Sequence, residues 1–264
     1  MFPPPSPAVP VKESKLCSAD LAMCKSFLPS YLSGFAFSCS DDLRGELIMA
    51  WSPTVVSADA ISHSDHCLTV SFSTSFAYAF IITNVYAPSD HRTIATFLEE
   101  FESQAAPSST NWVAIEDFNL TRDPVDKNTA GSDRHLAASF SNLIDQLALI
   151  ELPLLDRLFT WSNKRVVPTL ACLDRALINT AFEGDFPNSS LTSRLGSTSD
   201  HVPLTLSIPT AIPKSHRFYF ENAWLKSPNF LLTVSPAWTN AWVLRDAGGG
   251  LVAHVKAVRH AAKL

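Results

Sequence analysis

Between Glu46 and Ile208 the chain is a succession of short strand-like runs, and no other feature limits its fold as strongly. Glu46–Trp51, Cys67–Phe72, Ala77–Tyr86, Trp112–Asp117, Leu158–Ser162, Leu170–Ile178 and Val202–Ile208 are rich in Val, Ile, Phe, Thr and Trp. Most are bounded by Pro, Ser, Asp or Asn, residues that favour turns over ladders. Two stretches have helical spacing instead. Ile94, Phe97, Leu98 and Phe101 form one apolar face, and Leu136, Phe140, Leu143, Ile144 and Leu147 form a longer one, with Ser132 placed to cap it. Strands with interspersed helices predict an α/β (α+β) layered domain.

The 264 residues include 18 Pro and only 8 Gly, which leaves little room for glycine-rich phosphate loops. The chain has no G-x-G-x-x-G, no P-loop, no G-x-S-x-G elbow and no H-E-x-x-H. The longest apolar run, Phe76 to Val85, is interrupted by Thr83 and Asn84. It reads as a buried strand, too short for a membrane span. Met1-Phe2-Pro3-Pro4-Pro5-Ser6-Pro7 has neither the basic nor the apolar region of a secretory signal. Cys17, Cys24, Cys39, Cys67 and Cys172 form no C-x-x-C pair. The expectation is an intracellular protein, nuclear or cytoplasmic, with reduced thiols and no membrane contact.

Charge divides the chain. Residues 1–210 carry 13 Lys/Arg against 23 Asp/Glu, a net of −10, and residues 211–264 carry 7 against 2, a net of +5. An acidic body binds polyanions poorly unless its carboxylates hold a cation. Three segments are expected: a Pro-rich stretch without regular structure (1–10), a layered domain (11–210) and a basic linker with a helical tail (211–264). The tail includes His216-Arg217-Phe218-Tyr219-Phe220 and, after Gly248-Gly249-Gly250, a basic helix over Leu251–Leu264.

Three places carry potential chemistry. The strand Trp112–Asp117 ends in a carboxylate, with Asn119 two residues on. In extended backbone the two side chains converge on one site; the alternative is a strand end closed by an Asx turn. Leu173-Asp174-Arg175 places an acid in an apolar run, where it needs a partner. A histidine such as His201 would serve, and so would Arg175. Ser199-Asp200-His201 precedes the last strand, but Ser-Asp-His also occurs at Ser64–His66 and Ser89–His91. Ser89 or Asp90 reads as a helix cap. Ser64–His66, with His63 and Cys67, resembles zinc ligands without their paired spacing and reads as a loop between strands.

Taken in order, five motifs resemble those of the endonuclease/exonuclease/phosphatase family. They are Val11-Lys12-Glu13-Ser14-Lys15, Asn84-Val85-Tyr86-Ala87-Pro88, Glu116-Asp117-Phe118-Asn119, Leu173-Asp174-Arg175 and Ser199-Asp200-His201-Val202-Pro203. With Phe159-Thr160-Trp161-Ser162-Asn163 and Phe220-Glu221-Asn222-Ala223-Trp224-Leu225, the nearest branch is the endonuclease domain of plant LINE-type (non-LTR) retrotransposon polyproteins. The resemblance implies a four-layer sandwich of two packed β-sheets with helices outside. It also implies Mg²⁺-dependent (or Mn²⁺-dependent) hydrolysis of a phosphodiester. In that reading Glu13 and Asp200 serve the metal, and Asp117 activates water with Asn119 positioning it. Tyr86 binds the phosphate, and His201, oriented by Asp174, stabilises phosphoryl charge. The substrate would be DNA, the chain a monomer, and a parent polyprotein would carry a reverse transcriptase.

The chain departs from that pattern. The family's first strand, with a metal-site Asn, has no counterpart before Val11. The Gly of G-D-F-N is Glu116, and a motif Gly is replaced by Glu46. These departures predict an impaired or inactive nuclease. The alternatives are a non-catalytic nucleic-acid-binding remnant that uses the basic tail, and a phosphoesterase of the same fold.

Overall fold

The computed structural model describes residues 8–12, 26, 28–38, 47–74, 78–129, 131, 133–194, 199–208 and 230–240. The chain divides into two units, Met1–Thr210 and Ala211–Leu264. Among the described residues the first holds thirteen strands: β1 (Ala8–Lys12), β2 (Gly34–Ser38), β3 (Leu47–Trp51), β4 (Val56–His63), β5 (Cys67–Thr74), β6 (Ala79–Tyr86), β7 (Asn111–Asp117), β8 (Leu149–Glu151), β9 (Trp161–Ser162), β10 (Leu170–Ala171), β11 (Asp174–Asn179), β12 (Ser190–Ser193) and β13 (Leu204–Ser207). Its helices are α1 (Ile94–Ser103), α2 (Arg134–Gln146) and the short α3 (Thr180–Asp185). In the second unit, α4 covers Phe230–Asn240 and contains Pro236.

Six strands form the central sheet in the order β4-β5-β6-β7-β11-β8. β6 and β7 run parallel and the other neighbours antiparallel. A parallel pair needs a crossover, and α1 lies in it. Strand alternation then sorts the side chains. Trp112 and Ala114 face Phe97, Phe101, Phe140 and Ile144 of α1 and α2. Val113 and Ile115, with Ala176 and Ile178 of β11, face Phe182 of α3, Leu191 of β12 and Leu204 and Leu206 of β13. On the same face, Leu68, Val70 and Phe72 of β5 pack against Leu47, Met49 and Trp51 of β3. The result is a helical layer, a six-stranded sheet and facing sheets, the layered α/β sandwich expected. Asn84 of β6 bridges the two β layers, its Nδ2 donating to the carbonyl of Ile48 at 3.1 Å.

Several local expectations change. Ala8–Pro10 are not irregular: they open β1, which pairs antiparallel with β3 and places Pro10 opposite Met49. The three-stranded sheet has the order β1-β3-β2. Among the described residues β1 is therefore an edge, where a proline's missing N–H can fall on the unpaired side. The run Leu158–Ser162 narrows to β9, and Leu170–Ile178 splits at Cys172-Leu173 into β10 and β11. Asp133 caps α2, its Oδ1 accepting from the N–H groups of His135 and Leu136. Leu251–Leu264 and His216–Phe220 lie outside the described residues. β2 begins at a glycine because a Cβ at Gly34 would lie 2.3 Å from Nε1 of Trp51.

Candidate active site

Three adjoining strands of the central sheet end at one place. Tyr86 closes β6 and stands in register with Asp117, which closes β7. Asp117 in turn stands opposite Asp174, the first residue of β11. Alternation puts Asp117 on the face of Val113 and Ile115, and Asp174 on the face of Ala176 and Ile178. Both carboxylates are buried, at 1% and 2% exposure. His201, 8% exposed, arrives on the segment before β13. Its Nδ1 meets Asp174 Oδ2 at 2.8 Å and Oδ1 at 3.1 Å. On the other edge of the ring, Nε2 lies 3.6 Å from Oδ2 of Asp117. The partner expected for Asp174 is thus His201.

The strand end at Asp117 is both a site and an Asx turn. Asp117 Oδ1 accepts the backbone N–H of Asn119 at 2.9 Å. Asn119 adopts a left-handed φ of 49°, a conformation Asn tolerates. Its side chain therefore does not continue the strand. Its Nδ2 donates to the carbonyl of Ala87 at 2.7 Å, while Ala87 N–H donates to the carbonyl of Asp117 at 2.8 Å. Asn119 thus holds Asp117 through its own backbone and ties the end of β6 to the end of β7.

Arg175 belongs to a different network. Alternation sends it to the opposite face from Asp174, where it is 3% exposed and bridges Glu151 and Asp126, the latter at 2.6 Å. Arg122 joins the same Glu151 at 2.7 Å. Burial works against the Arg175 charge, but Glu151 and Asp126 outweigh it and hold the guanidinium above its ordinary value. Nearby, burial pushes the Cys172 thiol up to about 11.

No protein-family model matches the chain, and no curated protein does. Solved structures do. The endonuclease domain of TRAS1, a telomere-specific non-LTR retrotransposon, matches with a TM-score of 0.54 at 16% identity, over 76% of this chain and 98% of that one. D. rerio TDP2, solved with a single-strand DNA product, matches at 0.50 and 19% identity, over 75% and 84%. An endonuclease/exonuclease/phosphatase from Beutenbergia cavernae DSM 12333 matches at 0.50 and 10% identity, over 76% and 61%. The fold is that of the endonuclease/exonuclease/phosphatase proteins.

In this fold the remaining expected site residues fall as follows. Asp200 is exposed, its Oδ2 accepting from the Trp161 indole at 3.0 Å. Partial burial opposes its charge, but that bond and the charge of His201 hold the carboxyl below its usual range. It stands outside the cluster of Asp117, Asp174 and His201, whose ligand atoms lie within 4.8 Å of one another. Glu13 lies outside the described residues. The other two Ser-Asp-His segments go elsewhere. Asp90 caps the turn His91–Thr93. His66, in the β4–β5 connection, pairs with Glu100 of α1 at 2.6 Å.

The sequence alone gives Thr160 no role. Its buried Oγ1 accepts the N–H groups of both Leu173 and Asp174 at 3.0 Å. The only signal was its place in Phe159-Thr160-Trp161-Ser162-Asn163. Next to Asp117, Glu116 has a φ of 98°, a region that glycine occupies freely and other residues rarely.

The donor chemistry bears on a metal. Two carboxylates and one imidazole suit a divalent cation. One ion cannot use all three as they stand, because Asp174 addresses Nδ1 and Asp117 faces Nε2. The arrangement is a histidine oriented by one carboxylate and facing another. A cation would therefore draw on Asp117 and on oxygens beyond the cluster.

Proposed function

We infer that this chain hydrolyses phosphodiester bonds and that its substrate is DNA, which it nicks as a retroelement endonuclease does. The observation that carries this reading is His201, held at Nδ1 by Asp174 and turned with Nε2 toward Asp117. The match to a retrotransposon endonuclease domain agrees with it.

The roles follow from chemistry and position. Asp117 is the base that orients the attacking water, its Oδ1 fixed by the Asn119 N–H. Asp174 accepts the hydrogen bond from Nδ1–H of His201, so Nε2 is the nitrogen left to meet a phosphoryl oxygen and offset its developing charge. Tyr86, at the adjoining strand end, donates its hydroxyl to the phosphate. Glu13, Asp200 and Asp117 are the oxygen donors that would hold Mg²⁺, or Mn²⁺ in its place. A bound ion of this kind supplies Lewis-acid stabilisation of phosphate charge.

Glu116 impairs the activity. Its left-handed φ immediately before Asp117 strains the strand end, and it adds a negative charge one residue from the base. The chain works as a monomer inside the cell, and its parent polyprotein supplies a reverse transcriptase.

The test is nicking of supercoiled plasmid by the full chain with Mg²⁺. Slow, metal-dependent nicking that His201→Ala abolishes and Glu116→Gly accelerates is the expected result. No nicking by either the natural chain or Glu116→Gly overturns the reading. Salt-dependent DNA binding without nicking, lost on removing residues 211–264, would favour a binding remnant. Turnover of phosphomonoesters alone would favour a phosphatase.

A further inference from the structure

The segment Thr160–Ser162 touches both chain pieces that supply the Asp174–His201 pair. Thr160 Oγ1 receives the N–H groups of Leu173 and Asp174, each at 3.0 Å, and its own N–H donates to the carbonyl of Ala171 at 2.9 Å. On its other side, the Thr160 carbonyl accepts the N–H of Val202 at 2.8 Å. Trp161 bridges to His201 in antiparallel fashion. Ser162 N–H donates to the Asp200 carbonyl at 3.0 Å, and the Trp161 indole reaches the Asp200 carboxylate. Asp174 and His201 are 27 positions apart in sequence. Three consecutive residues splint them together.

Within this splint Thr160 is chemically distinctive. At the Cys172-Leu173 break between β10 and β11 the backbone leaves the ladder, and two successive N–H groups turn to one point. A single oxygen with two lone pairs can satisfy both. The hydroxyl is fully buried, so without it those two donors would stand unsatisfied at the residue whose carboxylate orients His201.

We propose that Thr160 is the positioning residue of the Asp174–His201 pair. Its hydroxyl fixes the backbone angle at which Asp174 leaves β11, and its carbonyl fixes the approach of His201. Thr160 touches no reacting atom and acts only through these two residues. The proposal rests on the reading of Asp174 and His201 as the catalytic pair, but its primary test does not require activity.

The test is proton NMR of the full chain, following the low-field imidazole Nδ1–H resonance of His201. That resonance is assigned by its loss in His201→Ala. Thr160→Ser keeps the hydroxyl and preserves the resonance, while Thr160→Val removes the hydroxyl at similar size and loses the resonance to exchange with water. Thr160→Ala gives the same reading if the valine variant does not fold. An unchanged Nδ1–H resonance in folded Thr160→Val or Thr160→Ala overturns the proposal, and so does its loss in Thr160→Ser. In the plasmid assay the valine variant slows nicking about 100-fold, and the serine variant stays near the natural rate. If neither the natural chain nor Glu116→Gly nicks, the functional reading fails while the resonance still decides the role of Thr160.

Discussion

Asp117 and Asp174 face each other across the antiparallel pair β7–β11, one at the end of its strand and the other at the start. Two buried carboxylates in register repel each other unless something of opposite polarity stands between them. His201 takes that place, with Asp174 on one nitrogen and Asp117 near the other. The same register that builds the sheet therefore builds the site.

Asp174→Asn is expected to leave the fold intact and disable the histidine. The amide can accept from Nδ1–H through its oxygen, but it carries no charge to stabilise an imidazolium. Plasmid nicking falls by about 10²–10⁴-fold, the usual worth of a positioned acid–base group. Circular dichroism and thermal unfolding close to those of the natural chain separate this effect from misfolding.

Glu116→Gly is expected to stabilise the protein. A non-glycine residue at a φ of 98° carries strain on the order of 1–3 kcal/mol. Glycine removes that strain but loses about 1 kcal/mol through its freer unfolded chain. A net gain of about 1 kcal/mol follows, read as a higher midpoint in urea with an unchanged slope. Glu116→Ala, with a Cβ and no charge, should recover little of it.

Arg175→Met tests the buried ion network. The substitution leaves Glu151 and Asp126 facing a thioether where a guanidinium stood. Stranding buried charge in this way costs about 3–5 kcal/mol. Adding Glu151→Gln and Asp126→Asn should restore part of the loss in the same denaturation experiment. Full additivity of the three changes would mean that the groups do not interact.

A pH effect is expected from Glu100. Burial works against its charge, but Ser64, the His66 imidazole and the His66 N–H all donate to it and hold its carboxyl below the usual range. A depressed carboxyl contributes stability above its unfolded value of about 4.3 and loses that stability as pH falls through the lower folded value. Glu100→Gln should therefore flatten the acid side of the stability–pH curve and leave its slope near neutrality almost unchanged. An equally steep acid limb in the variant would place the effect elsewhere.

Much of the fold is legible in the residues, and the gaps have local causes. The strands without a clear sequence signal are weakly patterned. β4 is exposed along most of its length, β2 begins on a glycine, and β8 and β12 have only three and four residues. The two helices are legible because four or five large apolar groups repeat on one face. Within the site, Asp117, Asn119 and Asp174 announce themselves as polar groups at the ends of apolar runs. Thr160 does not, because a threonine in a β-rich stretch is unremarkable until its hydroxyl is seen between two backbone donors.

By itself the sequence determined which residues share a face. Alternation put Asp117 with Val113 and Ile115, and helical spacing put Phe97 with Phe101, because those relations depend only on the geometry of a few consecutive residues. The motif resemblance already favoured Ser199–His201 among the three Ser-Asp-His segments, but how it reaches Asp174 was decided by the tertiary structure. Ser199–His201 arrives there because the sheet pairs β7 with β11 and the splint at Thr160 docks the segment before β13. Ser64–His66 instead meets Glu100 on a helix. Only the folded chain also revealed that Glu116 occupies a glycine's conformation and that Asn119 works through its backbone. Such relations join residues far apart in sequence, and the packing of the whole sheet decides them.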